Sequence, residues 1–146
     1  MTEYIIQILS GLIGTAGFAI LYNIRGLRFV FAALGGLISW SGYLLLHSMI
    51  ENKILCYFIV ALLISLYSEI LARLHKTPTT TFIIISLIPL IPGSSLYYTM
   101  TSVFGADPSA FLSKAAATLG MAGALAAGII AVCGTAHFIS RREKRK

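Results

Sequence analysis

Charge is scarce in this chain. Of 146 residues only five are acidic, and Glu69 is the sole carboxylate inside any of the long apolar runs. Cysteine is scarce too: Cys56 and Cys133 stand far apart in apolar segments, with no paired spacing for a metal site or redox motif, so both are expected to be buried, inert thiols. The N-terminus carries Glu3 and no Lys or Arg before the first apolar run, so the basic start of a cleaved secretory signal is missing and the first segment is expected to stay in the mature protein. HExxH, Walker and nucleophile-elbow sequences are absent, as are paired catalytic carboxylates. An intramembrane enzyme therefore has no residue to nominate, and neither a cofactor nor a metal is expected.

What the chain has in excess is apolar sequence. Hydrophobic residues make up 58% and the mean hydropathy is +0.88, above the roughly 45 to 50% apolar content of soluble domains. These residues fall in runs rather than stripes, and a spanning helix needs roughly 20 of them. Five segments meet that length, about 4–22, 29–46, 54–72, 80–101 and 112–139, followed by a basic tail at 140–146. The predicted fold class is thus an all-α membrane protein, a single transmembrane domain of five helices, the fourth interrupted by Pro-Leu-Ile-Pro-Gly. The links are too short to hide a second domain.

Five of the eleven basic residues lie in Arg141-Arg142-Glu143-Lys144-Arg145-Lys146. The net charge of +6 therefore reads as a topology signal and a contact for anionic lipid headgroups rather than a nucleic-acid surface. Arg25, Arg28, Arg73, Lys76 and the tail fall on one side of a five-crossing chain, against Lys53 and Lys114 on the other. Positive charge is retained in the cytoplasm, which predicts the N-terminus outside and the C-terminus inside. A fourth segment that dipped in and returned would put the tail on the wrong side, which favours five crossings over four.

Small residues recur at helix-contact spacing in Gly11, Gly14 and Gly17, in Ala32-x3-Gly36 and Gly35-x3-Ser39, and in Gly120-x3-Ala124-x3-Gly128. Generic helix packing accounts for them; a glycine face lining a substrate path is the minority reading. The most informative stretch is Ile88-Pro89-Leu90-Ile91-Pro92-Gly93-Ser94-Ser95. Pro89 and Pro92 remove two amide donors and crowd the preceding turn, and glycine permits unusual backbone angles, so a continuous helix is not expected. Thr80 to Ile88 spans about 13.5 Å as helix, which sets the break near the middle of the apolar layer. Backbone broken at that depth must face protein or water. A half-helix starting there offers free amides and a positive dipole end to an anion. Gly93, Ser94 and Ser95 are the candidates for binding a carboxylate, with Tyr97 and Tyr98 as further contacts. A kink satisfied by neighbouring helices is the plainer alternative.

Glu69 precedes Arg73 by four residues, the favoured order for a helical ion pair. The pair is either structural, snorkelling at a cytoplasmic helix end, or a coupling and gating site built on a protonatable intramembrane carboxylate. Arg25 and Arg28 read as charge anchors at a tight turn. Trp40, His47, His75 and His137 stand singly and are explained by packing or interfacial placement.

Together, Tyr22-Asn23-Ile24-Arg25, Gly35-Gly36-Leu37-Ile38-Ser39-Trp40, the run from Tyr67 to Arg73 followed by Thr77-Pro78, and above all Ile88-Pro89-Leu90-Ile91-Pro92-Gly93 resemble the threonine/serine exporter family. The likeness runs from about Gly11 to Ile139, and the chain is similar to the small five-helix subunit matching the C-terminal half of full-length exporters. The resemblance implies a hetero-oligomer with a larger membrane subunit of the same family, in a bacterial cytoplasmic membrane. It also implies a small carboxylate-bearing solute: threonine, serine, or a dicarboxylate such as succinate. Without an ATP-binding sequence, the expected activity is secondary, proton-coupled export. The competing expectation is a non-transporting scaffold that stabilises a larger partner.

Overall fold

The computed structural model describes residues 2–105 and 107–143, and among them every regular element is helical. Helix α1 runs Thr2–Leu21, α2 Leu27–Met49, α3 Lys53–His75, α4 Thr79–Leu87, α5 Gly93–Ser102 and α6 Pro108–Glu143. A single 3-10 turn at Ile88–Leu90 follows α4. Most helices run one to four residues beyond the apolar segments read from the sequence. Hydropathy marks where lipid begins, whereas backbone hydrogen bonds continue through polar ends such as Lys53 and His75. The side chains of the expected basic tail, 140–146, lie outside the described residues.

Local chemistry sets the turns. Asn23 is left-handed at φ 55°, and Gly26 sits at φ 65° and ψ −143°, a conformation a side chain would strain. Asn52 caps α3 by accepting from the Leu55 amide at 3.3 Å. Lys76 closes that helix in the left-handed region at φ 49°. At the start of α6, Asp107 precedes a first-turn proline and takes the Ser109 hydroxyl at 2.7 Å and the Ser109 amide at 2.9 Å. Those bonds, the hydroxyl first, hold its carboxyl below the ordinary value of 3.8.

Helices α1 to α4 form a closely packed body in which α2 touches each of the other three, while α6 packs along α3. Glycines make this possible. A Cβ on Gly36 would run into the Thr15 side chain, one on Gly35 into Ser86, and one on Gly128 would come 2.6 Å from the Ala61 Cβ and 3.1 Å from the Phe58 carbonyl. On α1 the buried positions are Thr15 and Ala19, with Gly11 against Trp40 and Pro89, whereas Gly14 and Gly17 meet no neighbour. The face expected through Gly11, Gly14 and Gly17 is therefore corrected to Gly11, Thr15 and Ala19, an i, i+4, i+8 stripe. Across the body the Tyr67 hydroxyl donates to the Phe31 carbonyl at 2.8 Å, tying α3 to α2.

Four helices, α1, α2, α3 and α6, are long and apolar enough to cross a membrane. Helix α4 with its 3-10 turn meets α5 at an angle of 53°, and the pair is either one broken crossing, making five, or a re-entrant loop. The chemistry of the bend is plain in the backbone. Pro89 and Pro92 supply no amide, the Ile91 amide turns back to the Ile88 carbonyl at 3.1 Å, and α5 resumes at Gly93.

Candidate functional site

Two clefts are lined by charged side chains, one where α3, α4 and α6 meet and the other between α5 and α6. In the first, the last turns of α3 carry Glu69 and Arg73 on one face. Arg73 Nε donates to Glu69 Oε1 at 3.0 Å, and the Thr79 hydroxyl, arriving from the start of α4, donates to Glu69 Oε2 at 2.8 Å. The left-handed Lys76 and the Thr77-Pro78 turn fold the chain back so that residue 79 reaches residue 69. The carboxylate is held from two sides, with 19% of the Glu69 side chain exposed against 54% of Arg73.

These groups line a cavity of about 760 Å³ whose other walls include Thr80, Ile83, Ile84, Ile129 and Cys133. Its volume lies within the roughly 300 to 1,000 Å³ usual for small-molecule sites, and its walls are mostly apolar with a few convergent polar groups, as such sites require. Sequence reading missed Thr79, Thr80 and Cys133. The Thr-Pro turn was visible, but that it returns α4 onto Glu69 is a tertiary fact. Cys133, expected to be buried and inert, is half-buried on the cavity wall, whereas Cys56 is fully buried.

The second cleft holds about 370 Å³ and is lined by Ser95, Tyr98, Lys114, Thr118 and Met121. Thr99 and Thr118, both buried, share a hydrogen bond at 3.0 Å that fastens α5 to α6. Of the residues nominated at the break, Ser95 is half-buried and faces this cleft with Tyr98, while Gly93 and Ser94 are exposed. Tyr97 and Tyr98 pack edge to face at 5.5 Å and are both more than half exposed. The Gly93 amide already donates to the Ile91 carbonyl at 2.7 Å, which leaves Ser94 and Ser95 as the amides that start α5. Lys114, in the sequence only an orientation signal, lines this cleft with Ser95. Pro89 lies elsewhere again, against α1 and α2 beside Gly11 and Trp40.

Of the nominated residues only four line these clefts, which share no lining residue, and Gly93, Ser94, Tyr97, Pro89 and Pro92 line neither. Glu69 and Arg73 stand together in one, Ser95 and Tyr98 in the other. Among the described residues no cluster of His, Cys, Asp and Glu is suited to a metal.

The family described as Threonine/Serine exporter, ThrE, matches residues 7–133, which takes in every helix described above, α1 and α6 in part. No curated protein and no solved structure matches the chain.

Proposed function

The chain belongs to the threonine/serine exporter family, and we propose from that premise that it is one five-crossing half of a secondary exporter in a bacterial cytoplasmic membrane. Its cargo is threonine, serine or a small dicarboxylate such as succinate. The observation that carries this reading is the family match over residues 7–133, which includes the whole bent pair α4 and α5 and, α1 and α6 in part, the four long apolar helices. A broken helix in lipid needs protein or water beside its freed amides, and a transporter supplies both.

With the N-terminus outside and the C-terminus inside, the Glu69 cavity opens at the cytoplasmic end and the Lys114 cleft at the outer end. Solute enters near Glu69 and Arg73 and leaves past α5. The Ser94 and Ser95 amides and hydroxyls hold its carboxylate during passage, and the bend at Pro89 and Pro92 keeps those amides out of the α4 ladder. Glu69 is the coupling residue: it is the one carboxylate in the crossings, and a proton on it would weaken its hold on Arg73. Five crossings are few to enclose a path, so a larger subunit of the same family completes it, and the basic tail rests on anionic headgroups.

Efflux from cells preloaded with threonine, serine or succinate tests this reading. The chain alone, its larger partner alone and both together are compared, with flux expected only from both. Flux from the chain alone would remove the partner, and no flux from a verified assembly would remove transport itself. Glu69→Gln is expected to abolish the pH dependence of export; an unchanged pH profile would sink the coupling role.

A further inference from the structure

Resting on the transport reading, we propose that the cavity between α3, α4 and α6 is a recognition site for a zwitterionic α-amino acid, with Arg73 taking its carboxylate and Glu69 its ammonium. Such a site separates the two solute classes that the start of α5 does not distinguish.

Glu69 engages only the Nε edge of the Arg73 guanidinium, at 3.0 Å. Among the described residues the two terminal nitrogens have no partner, and they form the fork that meets a carboxylate with two parallel hydrogen bonds. Holding Nε fixes the plane of that fork, so the free edge is oriented before a ligand arrives. Glu69 in turn accepts one bond on each oxygen, from Arg73 and from Thr79, whereas a carboxylate has about four acceptor positions. One lone pair on each oxygen remains for an ammonium.

Charge decides the ligand class. Glu69 and Arg73 are the only charged groups lining the cavity among the described residues, and they sum to zero. A zwitterion enters with each of its charges matched and adds no net charge to a largely apolar pocket. A dicarboxylate would satisfy the same guanidinium but place its second carboxylate near Glu69 without a cation to offset it. Ile83, Ile84 and Ile129 leave a short side chain against apolar wall, and Thr80 offers a hydroxyl partner nearby.

Cys133 on the cavity wall supplies a readout that needs no transport. In the full chain carrying Cys56→Ala, N-ethylmaleimide modification of Cys133 is followed in membrane vesicles. L-threonine should slow modification, whereas succinate and threonine methyl ester, which has the ammonium but no carboxylate, should not. Arg73→Gln, Arg73→Lys and Glu69→Gln should each raise the protecting concentration about tenfold or more, as expected for loss of a charge-assisted contact. An unchanged labelling rate without ligand shows that each variant keeps its fold. Equal protection by succinate, undiminished protection in Arg73→Gln, or no protection by threonine would each overturn the site. Threonine export without protection removes this site and leaves the transport reading standing. Protection without export, in the presence of the partner half, does the reverse.

Discussion

Before the break, side chains vanish into the interior: Phe82, Ile85 and Leu90 are at most 1% exposed, and Ser86 lies against the bare backbone of Gly35. After it, Leu96, Tyr97, Tyr98 and Met100 are all more than half exposed, and Thr99 alone is buried in α5. Only the short break from Ile88 to Pro92 thus separates a helix embedded among neighbours from one that takes its packing from α6. The difference teaches where specificity of fold resides. The body is defined by close backbone approach, where volume is critical, and α5 by a single buried hydroxyl pair on one neighbour, where volume is not.

Breaking that contrast begins with the glycines. Gly36→Leu must displace Thr15 and should cost about 1–3 kcal/mol or more, seen as loss of monodisperse protein on detergent extraction. Gly93→Ala has no neighbour within 4 Å and should change the melting temperature little, within about 0.5 kcal/mol. A second contrast is functional: replacing Ser94 and Ser95 together by Ala should lower export about tenfold or more through lost carboxylate contacts while melting stays as in the parent chain. Loss of assembly instead would make α5 structural.

Smaller effects sharpen the picture. Tyr67→Phe removes the α3 to α2 bond and should cost about 0.5–1.5 kcal/mol in thermal melting, whereas Thr99→Val should chiefly raise hydrogen exchange in α5 alone. The smallest is at the start of α6. The Asp107 carboxyl is depressed by its bonds to Ser109 and Ala110, so its contribution is full above the ordinary value of 3.8 and is lost as pH falls through the lower folded value. The protection of the Ser109 and Ala110 amides, relative to their unstructured exchange rates at each pH, should be constant from about pH 5 to 8 and fall below about pH 4, and Asp107→Ala should lack that step.

Much of this was legible one dimension at a time. Helix positions follow from apolar run length, and the Glu69–Arg73 pair from i, i+4 spacing, because both are properties of a single helix. The contact face of α1 was not, since Gly11, Gly14 and Gly17 mark places where a backbone can approach without saying whether one does. Thr79 on Glu69, Cys133 on the cavity wall and Lys114 in the cleft of Ser95 depend on how four separate helices meet, which spacing along one cannot encode. The Gly93 amide is a further instance. Counting prolines shows which donors are missing, but not that the Ile91 carbonyl bends round to take one that remains. Nor did the sequence announce that the Ser65, Ser68 and Ser86 hydroxyls are buried without a hydrogen-bond partner among the described residues.

Helix α6, Pro108–Glu143, is 36 residues, or about 54 Å, against 20 residues and about 30 Å for α1. The apolar layer of a bilayer is about 30 Å, so α1 fits it upright while α6 has length to spare for a lean. Because α5 is fastened to α6 through Thr99 and Thr118, its lean is passed on to the angle at Pro89 and Pro92. Membrane thickness is thereby a mechanical input to the bend, and lipids of different chain length would set it differently without touching a single residue.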